Sequence, residues 1–169
     1  MITSTPEQQE MIQELRSLTR KFAQDKLAPN AEHDDAEQIF RPENIQALGD
    51  LGLTGIPVAE EFGGAGLGYE AYTVVIEEIA QAHAAYAISV AVTGLPQVIL
   101  AKFGTDAQKK KYIPALAAGR AIGGFSLSEA SSGSDAGSLK TTARLEGSKY
   151  VLNGTKLWTT QGDSAETII

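Results

Sequence analysis

Five serines and two glycines fall between Ser128 and Ser138, and no other stretch of the chain gathers so much binding chemistry. The hydroxyls of Ser128, Ser131, Ser132, Ser134 and Ser138 can donate or accept, while Gly133 and Gly137 free the backbone to turn amides toward a ligand. A loop of this composition can hold phosphate or heterocycle oxygens through N–H groups and hydroxyls. It contains no lysine and no G-x-x-x-x-G-K-[ST], so it is not a Walker phosphate loop. Composition alone leaves a plain solvated connection as the alternative. The second feature is Trp158, the only tryptophan, set in Leu157-Trp158-Thr159-Thr160 where a flat apolar ring stands beside two hydroxyls. The two histidines promise less. His33 sits in the acidic run Glu32, Asp34, Asp35, Glu37, which reads as a solvated linker, and no second histidine or cysteine lies near enough to make a metal site. His83 lies in an apolar stretch and reads as packed. No metal site is expected.

Strand signals surround the serine loop. An apolar run from Ile122 to Leu127 precedes it. After it, Thr141, Ala143 and Leu145 alternate with Lys140, Thr142, Arg144 and Glu146, the period of two of a half-buried antiparallel strand. A join at Gly147-Ser148 leads into Tyr150-Val151-Leu152. Asn153-Gly154 is then a strong hairpin signal, because both central residues of such a turn need φ > 0. It predicts a further strand over Leu157 to Thr160 and makes residues 120–169 a β-meander, with a last strand at Thr167-Ile168-Ile169.

Residues 1–119 read as helical. Thr5, Pro6 and Gln8 supply an N-cap, a first-turn proline and a capping box, and Met11, Leu15, Leu18 and Phe22 form one apolar stripe that Pro29 ends. A second helix is expected from Pro42 to Leu51, with Ile45, Leu48 and Leu51 inward and Gly52 stopping it. The glycines at 63, 64, 66 and 68 lack the strand-then-helix setting of a dinucleotide fingerprint. A long buried helix is expected over 69–92, broken at Thr93-Gly94-Leu95-Pro96, followed by a short helix 97–103. Gln81, His83 and Ser89 interrupt the apolar run below the ~18–20 residues of a membrane span. Thr105 caps a last helix, Asp106 to Ala118, with Ala107, Tyr112, Ile113 and Leu116 on its core face.

Phe125 to Ser138 (FSLSEASSGSDAGS), followed by Tyr150 to Gly162 (YVLNGTKLWTTQG), resembles the flavin-contacting signature of the acyl-CoA dehydrogenases. Glu60 to Gly68 (EEFGGAGLG) and Phe103 to Gly119 (FGTDAQKKKYIPALAAG) stand in that family's order and spacing, so the resemblance covers essentially the whole chain. It implies FAD as cofactor, contacted by Phe125, Leu127 and Ser128, by Gly133 and Ser134 near the pyrophosphate, and by Trp158, Thr159 and Thr160 beside the isoalloxazine. It further implies acyl-CoA contacts at Ser134, Gly94 and Leu95. Ser126 and Ala130 depart from the family's commonest pattern; Ala130 replaces a proline, which leaves the loop less pre-set in φ.

The resemblance implies an α+β fold: an all-α N-terminal domain (1–119), then the first antiparallel strands of a β-barrel-like domain (120–169). It implies α,β-desaturation of an acyl thioester with hydride transfer to flavin N5, within fatty acid metabolism. Reoxidation by an electron-transfer flavoprotein and a homo-oligomeric enzyme are expected with it. Family members continue well beyond the position of Ile169, in most cases to a helical bundle bearing a glutamate base, so the chain reads as a fragment inactive by itself. The rival readings are an acyl-CoA oxidase, a flavin-dependent monooxygenase, or a non-catalytic helical interaction module.

At 169 residues, 43% hydrophobic and 21% charged, the chain can bury a core. A formal net charge of −7 with no basic stripe argues against nucleic-acid binding. The absence of cysteine excludes disulfides. Together with an N-terminal MITSTPEQQEMIQE that shows no presequence pattern, this leads to an expected cytoplasmic location.

Overall fold

The computed structural model describes residues 5–169; Met1 to Ser4, the start of the N-terminal stretch considered above, lie outside the described residues. Helix α1 (Pro6–Phe22) begins as its sequence dictates. Thr5 Oγ1 accepts from the Gln8 amide at 3.3 Å and Gln8 Oε1 accepts from the Thr5 amide at 2.9 Å, which satisfies two donors that a helix start leaves orphaned. The inward face is rotated from the expected stripe: Ile12, Leu15 and Phe22 join the core, while Met11 and Leu18 stay exposed. An ion pair sets that rotation. Arg16 and Arg20 reach the buried Glu78 carboxylate of α4 (Gly68–Ala82) at 2.6 and 2.8 Å, so this face of α1 must meet α4.

Pro29 does not end the helical path. A π-turn (Ala23–Leu27) and a 3-10 turn (Ala28–Asn30) carry the chain into α2 (Ala31–Ala36), with Ala23 and Leu27 fully buried. The acidic run is thus mostly helical rather than a linker; Glu32, Asp35 and Glu37 are solvated as expected, and Asp34 alone is not. Asp34 is buried and takes a bidentate clamp from Arg41, Nε at 2.7 Å and Nη2 at 2.6 Å, which offsets the cost of burying its charge. Helix α3 (Pro42–Asp50) buries Ile45 and Leu48 as expected, whereas Leu51 lies past its end and is exposed.

The expected single helix over 69–92 is two. α4 stops at Ala82, His83 adopts φ −160° and ψ 96°, and α5 (Ala84–Phe103) continues through Thr93, Gly94 and Pro96. The reason is packing. A helix apolar all round needs partners on several sides, and the bend at His83 lays α4 against α5 while α6 (Asp106–Ala117) and the first strand cover the rest. Gly94 is needed where the helices touch, since a Cβ there would stand 2.9 Å from the Tyr72 hydroxyl. By length and composition α5 could cross a membrane; in this fold it is the central helix of the bundle, with Tyr86, Val90, Thr93 and Gln97 buried. Thr105 and Gln108 form a second capping box for α6, whose Ile113 and Leu116 are fully buried, while Ala107 is exposed.

The β-part is smaller than expected. β1 is only Gly123–Gly124 and pairs in parallel with β4 (Thr167–Ile168). β2 (Thr142–Glu146) and β3 (Lys149–Asn153) form an antiparallel hairpin turning at Gly147-Ser148, with Gly147 at φ 64°. That hairpin is exposed on both faces rather than half-buried. The strand expected over 157–160 does not form: these residues leave β3 and run beside residues 126–128. A few strands thus follow a mostly helical bundle.

Candidate functional site

β1 is the footing of the site. Gly123 lies so close to α5 that a Cβ would stand 2.9 Å from the Thr93 carbonyl, and β1 is buried as it passes. Beyond it the Ser126 amide donates to the Ile169 carbonyl at 2.7 Å, and the chain emerges as Phe125, Leu127 and Ser128, all half-buried.

Against this segment the later one is fastened at three points. The Leu157 amide donates to the Ser128 carbonyl at 2.8 Å, Lys156 Nζ donates to the Leu127 carbonyl at 2.9 Å, and the Ser126 and Thr159 hydroxyls share a bond of 2.7 Å. Two stretches about thirty residues apart in sequence thereby become one surface. Trp158 stands on it with 89% of its surface exposed and φ at 61°. The ring packs into no core here, because residues 157–160 form no strand.

Glu129, to which the sequence assigned no role, holds the assembly together. Its buried carboxylate accepts from Lys156 Nζ at 2.8 Å, the Lys140 amide at 2.6 Å and the Thr141 amide at 2.9 Å. The Lys156 ammonium first, then the Thr141 and Lys140 groups, hold it far below the usual carboxylate range. So the serine loop is closed by a carboxylate at its mouth. A lone glutamate in a loop and a lysine twenty-seven residues on gave no spacing signal that could have paired them.

Within the loop, two of the five hydroxyls are engaged internally: Ser132 donates to the Asp135 carbonyl and Ser138 to the Asp135 carboxylate. Gly133 and Ser134 lie exposed at the loop's crest, and neither Gly133 nor Gly137 takes positive φ. A Cβ on Gly133 would meet nothing within 4 Å, so open space, not backbone freedom, distinguishes that position.

Thr160 is half-buried and lines a cleft of about 280 Å3 with Phe40, Ile88, Ser89, Gln161 and Asp163. Gly94 lies inside α5 facing Tyr72, whose hydroxyl burial pushes up to about 12, and Leu95 is partly exposed on the same helix. The structure therefore brings together Phe125, Leu127, Ser128, Trp158, Thr159 and Thr160, places Gly133 and Ser134 on the adjoining loop, and leaves Gly94 and Leu95 on α5. A larger cleft, about 610 Å3 between Pro57, Phe62, Tyr69 and the α5–α6 corner, is lined by none of them.

Chemically, the surface offers a bare aromatic wall, hydroxyls at Ser128 and Thr160 with no partner among the described residues, and a serine-rich crest with room for a bulky anion. That donor set fits a flat heterocycle with acceptor edges and a phosphate tail, which is the shape of a flavin dinucleotide.

The chain matches two family descriptions in series, "Acyl-CoA dehydrogenase, N-terminal domain" over residues 6–120 and "Acyl-CoA dehydrogenase, middle domain" over residues 124–169. It is 42% identical over 156 residues to an acyl-CoA dehydrogenase of Bacillus subtilis, covering 92% of this chain and 41% of that protein. Among solved structures it resembles a glutaryl-CoA dehydrogenase of Mycobacterium smegmatis in complex with FADH2, at TM-score 0.88 and 31% identity, over 93% of this chain and 41% of that one. It also resembles a chain from a structure of the electron transferring flavoprotein of Acidaminococcus fermentans, at TM-score 0.91 and 35% identity, covering 99% and 43% respectively. This chain spans about two fifths of the length of the curated relatives it matches.

Proposed function

This chain belongs to the acyl-CoA dehydrogenase family, and from that premise we propose that it forms the flavin-binding part of an FAD-dependent enzyme that desaturates an acyl-CoA thioester between its α and β carbons. The observation that carries the reading is the fastening of residues 156–159 to residues 126–128, which presents an exposed Trp158 beside unengaged hydroxyls. Trp158 supplies a wall for the isoalloxazine, Thr160 and Ser128 supply donors toward its polar edges, and Gly133 with Ser134 leaves space for the pyrophosphate and the acyl-CoA. When bound, FAD supplies the hydride acceptor that no side chain of this chain can provide. Glu129 and Lys156 neutralise each other and carry no proton in the reaction; their part is to hold the loop shut. Relatives of this chain are named for acyl-CoA substrates, and one structural neighbour comes from a study of an electron transferring flavoprotein. We accordingly propose acyl-CoA as substrate and an electron-transferring flavoprotein as the acceptor.

The test is titration of the chain with FAD while Trp158 emission is followed. The expected result is saturable quenching that Trp158→Phe abolishes as a signal and acyl-CoA modulates. Emission that stays at its starting value up to saturating FAD, with no flavin retained on gel filtration, would refute the reading.

A further inference from the structure

Three residues other than glycine have positive φ among the described residues, Gln38, Trp158 and Gln161, and the latter two bracket Thr159 and Thr160. Gln161, at φ 60°, carries a second cost. Its Oε1 is buried without a hydrogen-bond partner. Two unfavourable features persist at one residue only when its surroundings over-determine it, and such places cluster at functional sites. The surroundings here are specific. Gln161 Nε2 faces three acceptors from two elements: the Ser89 carbonyl at 3.2 Å and Thr93 Oγ1 at 3.3 Å, both on α5, and the Gly123 carbonyl of β1 at 3.1 Å. The orientation of the amide follows from this set, since exchanging its ends would set a carbonyl oxygen against two others. The Gln161 carbonyl is also engaged, accepting from the amides of Ser164 at 3.0 Å and Ala165 at 2.8 Å.

Thr93 completes the knot. It is fully buried, and its hydroxyl also accepts from the Gly123 amide at 3.4 Å. One side chain thus joins the central helix, the strand beneath the site and the turn that bears Thr160. Residues 156–159 are fastened to residues 126–128 and Glu166 to Ile122, but the Gln161 amide is the group of this turn that bonds α5 directly.

We propose that Gln161 is the positioning residue of this site: its amide sets the height and tilt of the Trp158–Thr160 turn over the flavin by tying that turn to α5 and β1. The inference rests on the flavin reading above. The Gln161 amide is turned to α5 and β1. It acts through Thr160, its neighbour in the chain and in the 280 Å3 cleft.

The test uses the chain with FAD as probe, comparing wild type, Gln161→Met and Thr93→Val. Methionine keeps the length and volume of glutamine and removes both N–H donors; valine keeps the shape of threonine and removes its oxygen. Without FAD, both variants are expected to keep the wild-type helical circular dichroism but to shift Trp158 emission and raise its quenching by acrylamide. With FAD, dissociation constants about tenfold weaker for Gln161→Met and severalfold weaker for Thr93→Val are expected, the scale of hydrogen bonds lost behind a site. The bound flavin's visible circular dichroism should change as well, which a merely structural role would not cause. Variants that bind FAD as wild type does, with unchanged Trp158 emission and flavin dichroism, overturn the inference alone. A wild type that never binds FAD overturns the flavin reading and the inference with it. Should Gln161→Met lose its helical signal, Thr93→Val decides by the same readouts.

Discussion

Replacing Gly154 by alanine should dislodge the site from below. A Cβ there would stand 2.7 Å from Thr141 Cβ and 2.8 Å from Thr141 Cα, against the roughly 3.5–4.0 Å of a comfortable carbon contact. Thr141 cannot retreat, because its amide is held by Glu129 at 2.9 Å, and Gly154 itself sits at φ 155°, which an alanine adopts with strain. Over-packing of this kind costs about 1–3 kcal/mol. With the backbone strain added, about 2 kcal/mol is a moderate expectation, and for a chain of this size it lowers the melting temperature by about 4–8 °C. The cheapest relief is for residues 154–157 to lift away, which breaks the Lys156 bond to the Leu127 carbonyl and the Leu157 bond to the Ser128 carbonyl. So the assay has two readouts: thermal melting by circular dichroism, and Trp158 emission with and without FAD. Both should move together. Gly133→Ala is the control for the melting readout and for Trp158 emission without FAD, since a Cβ there meets nothing within 4 Å. If Gly154→Ala melts within a degree of wild type and Trp158 is undisturbed, the close approach is not what seats this segment.

Gly133→Ala should leave stability unchanged yet weaken FAD binding severalfold, because its open space is where the pyrophosphate is proposed to lie; equal affinity would remove Gly133 from the site. Trp158→Ala should weaken flavin retention by about 1–3 kcal/mol, the loss of an aromatic wall, without lowering the melting temperature, since the ring is 89% exposed. Thr160→Val should keep flavin bound while changing its reduction potential, because a donor goes and the shape stays; an unchanged potential speaks against that donor. Glu129 has a folded-state pKa held below the ordinary glutamate value of about 4.3. Its stabilisation is therefore full above that value and lost as pH falls below it. Glu129→Gln should melt lower at pH 7 and show a flatter decline of stability below about pH 4.3; parallel curves for mutant and wild type would contradict the assignment.

The parts of the fold legible in sequence were those decided locally. The capping box at Thr5 and the N-cap at Thr105 stand where the residues put them, because a cap needs only partners three residues away. The hairpin turn at Gly147 is legible for the same reason. Misreadings arose where a distant partner outweighed a local preference. Pro96 and Gly94 signal a helix break, but burial of Thr93, Gly94 and Pro96 against α4 and β1 keeps α5 intact, and the break falls at His83. Asp34 looks as solvated as its acidic neighbours Glu32, Asp35 and Glu37, which are exposed, until Arg41, seven residues on, clamps it. The face of α1 turned inward is chosen by Glu78, about sixty residues away, rather than by the stripe of Met11 and Leu18.

Asn153-Gly154 shows how such an outcome governs the site. The dipeptide carries the local signature of a tight hairpin, and a strand over 157–160 pairing with β3 would have buried Trp158 in a sheet. Gly154 is instead used for closeness: its missing side chain lets Thr141 pass beneath it, and Glu129 then draws Lys140, Thr141 and Lys156 to one carboxylate. Once Lys156 is caught there, Leu157 reaches the Ser128 carbonyl rather than β3. The ladder partner that residues 157–160 forgo is replaced by Ser126 and Ser128 on one side and by the Gln161 amide on the other. The price is a pair of left-handed residues at 158 and 161, and the return is a tryptophan standing free over a row of hydroxyls. A hairpin would have satisfied the local signal, but it would have lacked the surface on which a flavin is proposed to lie.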